Sequence, residues 1–209
     1  MSQEENNKSP LVSGETSPQK SKTSPEKEEN FWVEIGKVFA MAMVLSFGIR
    51  TFIAEARYIP SSSMEPTLLI NDRLIIEKMT YRFQLPERGD IIVFNATKEL
   101  QSQGFNDAFI KRIIGIPGDT VQVTGGKVIV NGQTLKENYI SETPQYEYGP
   151  VVVPSGEYLV LGDNRNNSFD SHYWGFVPSE KIIGRAFVRF WPPNRVGNIE
   201  GSSVFTVKD

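Results

Sequence analysis

Three consecutive serines, Ser61 to Ser63, lie in the stretch YIPSSSMEPTLL, and a serine hydroxyl can act as a covalent nucleophile. The hydroxyl attacks poorly until a neighbouring group accepts its proton. The chain of 209 residues contains a single histidine, His172, and no cysteine. This composition excludes a histidine metal cluster, thiolate catalysis and disulfide bonds, and we expect no metal or cofactor. Histidine, carboxylate and lysine remain as candidate bases.

Lys111 is one candidate base. In AFIKRIIGIPGD it lies in a predicted strand with Phe109 and Ile113 on the same face, because side chains alternate along a strand. Apolar surroundings would lower the pKa of a lysine from about 10.4 towards roughly 7–8, the range useful for a general base. A strand whose cations, Lys111 and Arg112, extend to its edges fits the same pattern equally well.

His172 is the other candidate base. It follows Asp170 by two residues in SFDSHYWG, so on an extended chain the two side chains would point the same way and could pair. A Ser-His-Asp arrangement would also require His172 to face Ser63 across the fold, and the spacing gives no indication of that. A structural histidine is the favoured interpretation.

The chain after residue 57 carries short apolar runs separated by Gly, Pro and Asn, a pattern typical of β-strands. Strands are predicted at residues 73–79, 90–94, 108–115, 120–123, 127–130, 157–162 and 185–191. Gly125-Gly126 and Asn131-Gly132 are two-residue turn signals, so residues 120–135 should form a three-stranded meander. We therefore expect a mainly β domain of antiparallel sheets over residues 56–209.

The N-terminal part divides into a polar tail and an apolar segment. Residues 1–30 are predicted to be disordered, because they contain too few apolar side chains to offset the entropy of ordering. Residues 31–55 are predicted to form one transmembrane helix, since residues 35–53 alone would span about 28 Å. Lys37 and Arg50 lie near the ends of that segment, where long cationic side chains reach the interface. An amphipathic helix packed on the domain is the alternative.

The charge of the chain gives little information about partners. The formal net charge is -3 and no basic stripe occurs, so no nucleic-acid partner is expected. Cations on the two sides of the apolar segment favour only slightly a cytoplasmic N-terminus, with the β domain on the outer or lumenal side.

Four blocks of the sequence resemble, in the same order, the successive motifs of bacterial type I signal peptidases. They are PSSSMEPT (60–67), RGDIIVF (88–94), IKRIIGIPGD (110–119) and GDNRNNSFDSHYWG (162–175). The resemblance extends from the apolar segment to about Trp191. It implies a membrane-bound serine endopeptidase with a Ser-Lys dyad. Such an enzyme removes signal peptides from secreted or translocated preproteins by cutting after small residues, typically A-x-A.

The resemblance also implies roles for individual residues. Ser63, which precedes the methionine of SMEPT, would be the nucleophile, and Lys111 of the KRIIGIPGD block would be its general base. Ser61 would form an oxyanion hole together with the backbone N–H of Ser63. Ser168 would hydrogen-bond Lys111 and orient it, and Ser62 would be a spacer.

A supporting shell of charged residues is implied as well. Asp163, Asp170 and Arg165 would support the base, and they would pair with Arg112 or with one another. Many family members carry arginine at the position of His172, and a neutral histidine does not make the ion pair that arginine would give Asp170. Histidine here is similar to the cyanobacterial and plastid thylakoid branch.

The implied partners are preproteins, the lipid bilayer of a cell or thylakoid membrane, and the protein translocation machinery. An alternative from another class is a catalytically silent, membrane-anchored β module that scaffolds a translocation complex. The intact pair Ser63 and Lys111 argues against that alternative.

Overall fold

The structure is a computed structural model, and it describes residues 31–199 and 201. The predicted disordered tail, residues 1–30, lies outside the described residues. The first element is helix α1 (Phe31–Phe52), whose side chains are exposed almost throughout. Within the described residues it is the one helix long and apolar enough to cross a membrane, with a mean hydropathy of 1.6. The helix ends at Phe52 rather than at residue 55, because the next residues pair as a strand.

Twelve strands follow α1 in the described part of the chain. They are β1 (Ala54–Tyr58), β2 (Arg73–Glu77), β3 (Ile91–Phe94), β4 (Phe109–Gly115), β5 (Thr120–Thr124), β6 (Lys127–Val130), β7 (Gln133–Thr134), β8 (Tyr148–Val152), β9 (Glu157–Leu161), β10 (Val177–Pro178), β11 (Ile182–Trp191) and β12 (Gly197–Asn198). The larger sheet has the order β1-β2-β11-β3-β4-β9-β10, with β12 paired to β11. The smaller sheet has the order β7-β6-β5-β8. The pairings are antiparallel, so the expected mainly β, antiparallel fold is confirmed.

Each predicted apolar run contains a strand, and the predicted meander is β5-β6-β7. The sequence prediction missed β1, whose first two residues it assigned to the end of the apolar helix. It also missed β8, where Gly149-Pro150 interrupts the apolar pattern. Two short helices were missed as well, α2 (Lys98–Ser102) and α3 (Ser171–Trp174). Each begins at a polar residue, Thr97 or Asp170, whose side chain accepts a hydrogen bond from a backbone N–H of the first turn.

The two sheets share an apolar core, to which alternate side chains of β5 and β6 contribute. In β5 and β6 every second residue is buried, as expected for strands with one face on a core. These side chains pack against residues of β4 and β9 in one apolar cluster that includes Val121, Val123, Val128, Val130, Ile114, Leu159 and Leu161. The cluster supports β4 and β9 from one side of the larger sheet.

Strand β4 lies inside the larger sheet, between β3 and β9. Lys111 is opposite Ile92 and Arg112 is opposite Ile91 in the register with β3. Both cationic side chains are buried, with Lys111 3% and Arg112 1% exposed. The interpretation that they extend to the edges of the strand is therefore wrong, and both cations lie within the fold.

A substitution at Gly184 in β11 can test how closely the strands of the larger sheet pack. A Cβ at this position would lie 2.2 Å from the backbone carbonyl oxygen of Glu77 in the neighbouring strand β2. Gly184→Ala should therefore lower the free energy of unfolding by about 2–3 kcal/mol, measured by denaturant unfolding of the full chain in detergent. Gly197→Ala is the matched control, because a Cβ there meets nothing within 4 Å. Equal stability of the two variants would contradict the packing described for β2 and β11.

Candidate active site

The serine triplet lies in the loop between β1 and β2, and hydrogen bonds hold that loop against residues 162–168. The backbone N–H of Asn164 donates to the carbonyl oxygen of Ser63 at 3.1 Å. The side-chain amides of Asn164 and Asn167 donate to the carbonyl and hydroxyl oxygens of Ser62, each at 3.1 Å. Ser62 is thus more than a spacer, because it fastens the loop. Met64, fully buried, anchors the same loop in the core.

Ser63 and Lys111 meet in a buried niche although they are far apart in sequence. The Nζ of Lys111 donates a hydrogen bond to the Oγ of Ser63 at 2.7 Å. Ser63 is 9% exposed, and the Lys111 amine lies 5.9 Å from the ring centroid of Phe109. Burial lowers the pKa of Lys111 from 10.5 to about 8, against the opposing influence of the Asp170 and Asp163 carboxylates. An amine with this pKa is a fit general base for an alcohol near neutral pH.

Arg112, the neighbour of Lys111 on β4, is held by a buried carboxylate. Its Nε and Nη2 donate to the two oxygens of Asp163 at 2.8 and 2.7 Å, a bidentate pair. The hydroxyl of Thr67 donates to Asp163 at 2.5 Å. The Arg112 guanidinium also donates to the carbonyl oxygen of Gly89 and lies 4.1 Å from the ring centroid of Tyr139. Asp163 therefore connects the serine loop to the strand that carries Lys111.

The sequence prediction allowed Arg165 to pair with Asp163 or Asp170, but the structure shows it paired with neither. It forms a bidentate ion pair with Glu137, at 2.8 and 2.6 Å, and donates to the carbonyl oxygen of Gly162 at 3.0 Å. Sequence reasoning did not identify Glu137, since it lies in a loop outside the four blocks and has no distinctive neighbours. The pair fixes the turn that follows β9.

Asp170 and His172 pair with each other at the start of helix α3. Asp170 is fully buried, accepts a hydrogen bond from the backbone N–H of Gly162 at 2.9 Å, and lies 2.7 Å from Nδ1 of His172. The His172 ring stacks on Tyr146 with 4.1 Å between ring centroids. The His172 ring nitrogen Nδ1 is thus directed at Asp170, whereas Ser63 Oγ contacts Lys111 and Ser61.

The other two predicted serines lie near Ser63 in different surroundings. Ser61 is exposed, and its Oγ lies 3.4 Å from the Oγ of Ser63. The Oγ of Ser168 is buried and has no hydrogen-bond partner in the part of the chain that the structure describes, so the predicted bond to Lys111 is not formed. A Cβ on Gly162 would lie 2.2 Å from Ser168 Oγ and 2.4 Å from the Ser63 carbonyl oxygen. Only glycine at position 162 allows this close approach.

A cleft of about 390 Å³ opens onto Ser63 and Lys111, with walls that include Phe105, Phe109 and Phe169. A second cleft of about 610 Å³ adjoins it and shares Pro60, Asp107, Ala108, Phe109 and Ile110. Together they form a groove beside β4 with mainly apolar walls. Within residues 31–199 and 201, no cluster of three His, Cys, Asp or Glu side chains could hold a metal ion.

Residues 32–191 match the family model described as signal peptidase, peptidase S26. The chain belongs to the signal peptidase family. The match covers the serine loop, β4 and the segment from Asp163 to His172, and it confirms the family that the four sequence blocks resemble.

Several curated signal peptidases are similar to this chain over most of its length. "Probable signal peptidase I-2" of Synechocystis sp. is 68% identical and the alignment covers 84% of this chain and 82% of that protein. Signal peptidase I of Leptolyngbya laminosa is 58% identical over 88% of this chain and 92% of that protein. "Probable thylakoidal processing peptidase 2, chloroplastic" of Arabidopsis thaliana is 45% identical over 81% of this chain and 47% of that protein. These similarities confirm the expected likeness to the cyanobacterial and thylakoid branch.

The Asp163 carboxylate should be essential for the stability of this signal peptidase. Asp163→Ala leaves the buried Arg112 guanidinium without its ion-pair partner, so the free energy of unfolding should fall by about 3–5 kcal/mol. Glu142→Ala is the control, since it removes an exposed carboxylate that accepts a hydrogen bond from Asn166, and it should change stability by less than about 0.5 kcal/mol. Denaturant unfolding in detergent measures both. A variant at Asp163 as stable as the one at Glu142 would refute this role.

Proposed function

We propose that this chain is a membrane-anchored type I signal peptidase that cleaves signal peptides from preproteins, with Ser63 as nucleophile and Lys111 as general base. The observation that carries the assignment of the two residues is the 2.7 Å hydrogen bond between Lys111 Nζ and Ser63 Oγ in a buried niche. Membership of the signal peptidase family and the high identity to named signal peptidases support the reaction class.

The reaction begins when the neutral amine of Lys111 accepts the hydroxyl proton of Ser63. The Ser63 oxygen bonds to the carbonyl carbon of the scissile peptide and forms a tetrahedral intermediate. As that intermediate collapses, the C–N bond breaks and the ammonium of Lys111 returns the proton to the leaving amine. A water molecule then attacks the ester, and Lys111 again accepts and returns one proton, which releases the signal peptide and regenerates Ser63.

The oxyanion of the tetrahedral intermediate needs hydrogen-bond donors aimed at it. We assign this role to the hydroxyl of Ser61 and the backbone N–H of Ser63. The Ser61 hydroxyl lies at the mouth of the niche, 3.4 Å from Ser63 Oγ, and can rotate towards an oxygen beside the nucleophile. Loss of one such donor typically lowers the rate about 10²–10³-fold.

The magnitude of the pKa shift supports lysine as the base. With a pKa of about 8, about a tenth of the Lys111 amines are neutral at pH 7. An amine with an ordinary pKa near 10.4 would be neutral in only roughly four molecules in ten thousand at the same pH. Burial of Lys111 therefore raises the population of active enzyme more than about a hundredfold.

The groove beside β4 suits an extended peptide. The ladder between β4 and β9 begins at Arg112, so residues 109–111 have no partner on that side among the described strands. An extended substrate could add to this free edge through backbone hydrogen bonds, and its side chains would enter the cleft of about 390 Å³. The shallow apolar walls fit small residues before the cut, as in A-x-A.

The membrane would bring enzyme and substrate together. We assign α1 as a single transmembrane anchor, with the N-terminus in the cytoplasm and the β-rich domain on the outer or lumenal side of a cell or thylakoid membrane. A preprotein whose signal helix lies in the same bilayer meets the enzyme at high effective concentration. The lipid bilayer and the translocation machinery are therefore the proposed partners besides the preprotein.

Cleavage of a purified preprotein by the full chain in lipid vesicles tests the proposal. Ser63→Ala and Lys111→Met should each lower kcat/KM by at least about 10³-fold, because the nucleophile or its base is lost. Ser102→Ala and Lys127→Met replace exposed residues of the same types and should stay within about twofold of the unsubstituted chain.

Two outcomes would overturn the assignment. Near-normal cleavage by Lys111→Met, together with loss of cleavage in His172→Gln, would identify His172 as the base. Failure of the unsubstituted chain to cleave any preprotein, in lipid as well as in detergent, would favour a catalytically silent scaffold.

A further inference from the structure

Two buried carboxylates act on the Lys111 amine, and they differ in how their charge is balanced. Asp163 forms a bidentate ion pair with Arg112, so a permanent cation compensates its charge. Asp170 is the stronger of the two influences on Lys111, and both favour the protonated amine. Among the described residues, the ionisable side chain that bonds Asp170 is His172. The electrostatic influence of Asp170 on Lys111 therefore depends on the residue at position 172.

The surroundings of His172 hold its ring firmly in place. The side chain is 10% exposed and lies against two phenol rings, Tyr146 at 4.1 Å and Tyr173 at 3.8 Å between centroids. Tyr148 meets the ring edge-on at 6.5 Å. Burial raises the pKa of Tyr146 and of Tyr148, with the Asp170 charge adding to it, so both phenols are neutral near pH 8.

Two other cations near this cluster are paired with carboxylates. Arg165 is bonded to Glu137 through both oxygens, and Arg112 is bonded to Asp163. The His172 ring nitrogen Nδ1 lies 2.7 Å from Asp170, so the imidazole is placed to orient this carboxylate.

We propose that His172 is a positioning residue for the Ser63–Lys111 pair: its hydrogen bond fixes the orientation of the Asp170 carboxylate, and through Asp170 the residue at position 172 acts on Lys111. The inference rests on the proposed function of that pair. It follows that position 172 determines the pH range in which the enzyme is active. A permanent cation at this position would compensate Asp170 and would favour the neutral form of Lys111.

His172→Arg is the direct test, because a guanidinium is planar, can stack on Tyr146 as the imidazole does, and can donate to Asp170 with a permanent charge. The apparent pKa in the profile of kcat/KM against pH should fall by roughly half a unit to one unit. Cleavage at pH 7 should then rise about two- to threefold or more, while the rates above pH 9 converge. His172→Gln, a neutral donor, should keep the profile of the unsubstituted chain.

Asp170→Asn is a second test that remains available if His172→Arg does not fold. Asparagine still caps α3 and can accept from the Gly162 N–H, but it carries no charge. Asp170→Asn should shift the apparent pKa in the same direction as His172→Arg. It does so although it weakens the contact between residues 170 and 172, which His172→Arg strengthens. A purely structural role of the pair would not move both profiles the same way.

A measurement that needs no catalysis separates this inference from the proposed function. Because burial lowers the pKa of Lys111, the folded state binds its proton less tightly than the unfolded state, and this loss of stability is relieved as pH rises from about 8 towards 10.5. The difference in unfolding free energy between the chain and its Lys111→Met variant, measured against pH, isolates this contribution of Lys111. The pH at which that difference begins to rise, its onset, should be lower by half a unit or more when both proteins also carry His172→Arg.

The inference is overturned if His172→Arg and Asp170→Asn both retain the original onset, or if His172→Gln shifts it as far as His172→Arg. Absence of cleavage in every variant, with the expected shift of onset intact, would instead contradict the proposed function.

Discussion

Removal of the Lys111 amine from water is the interaction on which the rest of the site depends. A buried ammonium is costly, and this cost is what lowers the pKa of Lys111 to about 8. The adjacent residue, Arg112, is buried to a similar degree, but Asp163 meets its guanidinium with two hydrogen bonds. Two neighbouring cations on one strand thus take different roles: Arg112 holds the structure together, and Lys111 can exchange a proton.

The segment after β9 places the serine loop beside β4, where Arg112 and Lys111 lie. Asp163 bonds both Arg112 and Thr67, and the Asn164 backbone N–H holds the Ser63 carbonyl. One short stretch therefore positions the serine loop relative to β4. The absence of a side chain at Gly162 lets Ser168 and the Ser63 backbone approach closely. Stability of the buried ion pair and reactivity of the buried amine are consequences of the same packing.

Much of this arrangement could be predicted from the sequence, and the remainder could not for physical reasons. Short apolar runs bounded by Gly, Pro and Asn located most of the strands, including β4 with Lys111 in it, because strands buried in a sheet are built of such runs. Alternation could not decide whether Lys111 and Arg112 reach the strand edges, since that depends on neighbouring strands. The Glu137–Arg165 pair was missed, because a loop contact leaves no periodic signal in sequence. The expected hydrogen bond between Ser168 and Lys111 is not formed in the described part of the chain, and its absence depends on side-chain placement that the sequence does not encode.

The most direct test of this account is an NMR titration of the lysine side chains in the full chain, labelled at lysine and held in detergent micelles. The signal that disappears in the Lys111→Met variant belongs to Lys111. The account predicts a midpoint near pH 8 for that signal, as burial of the amine requires. A midpoint near 10.4, the ordinary value for a hydrated lysine, would show that the amine is charged at neutral pH and is not the base.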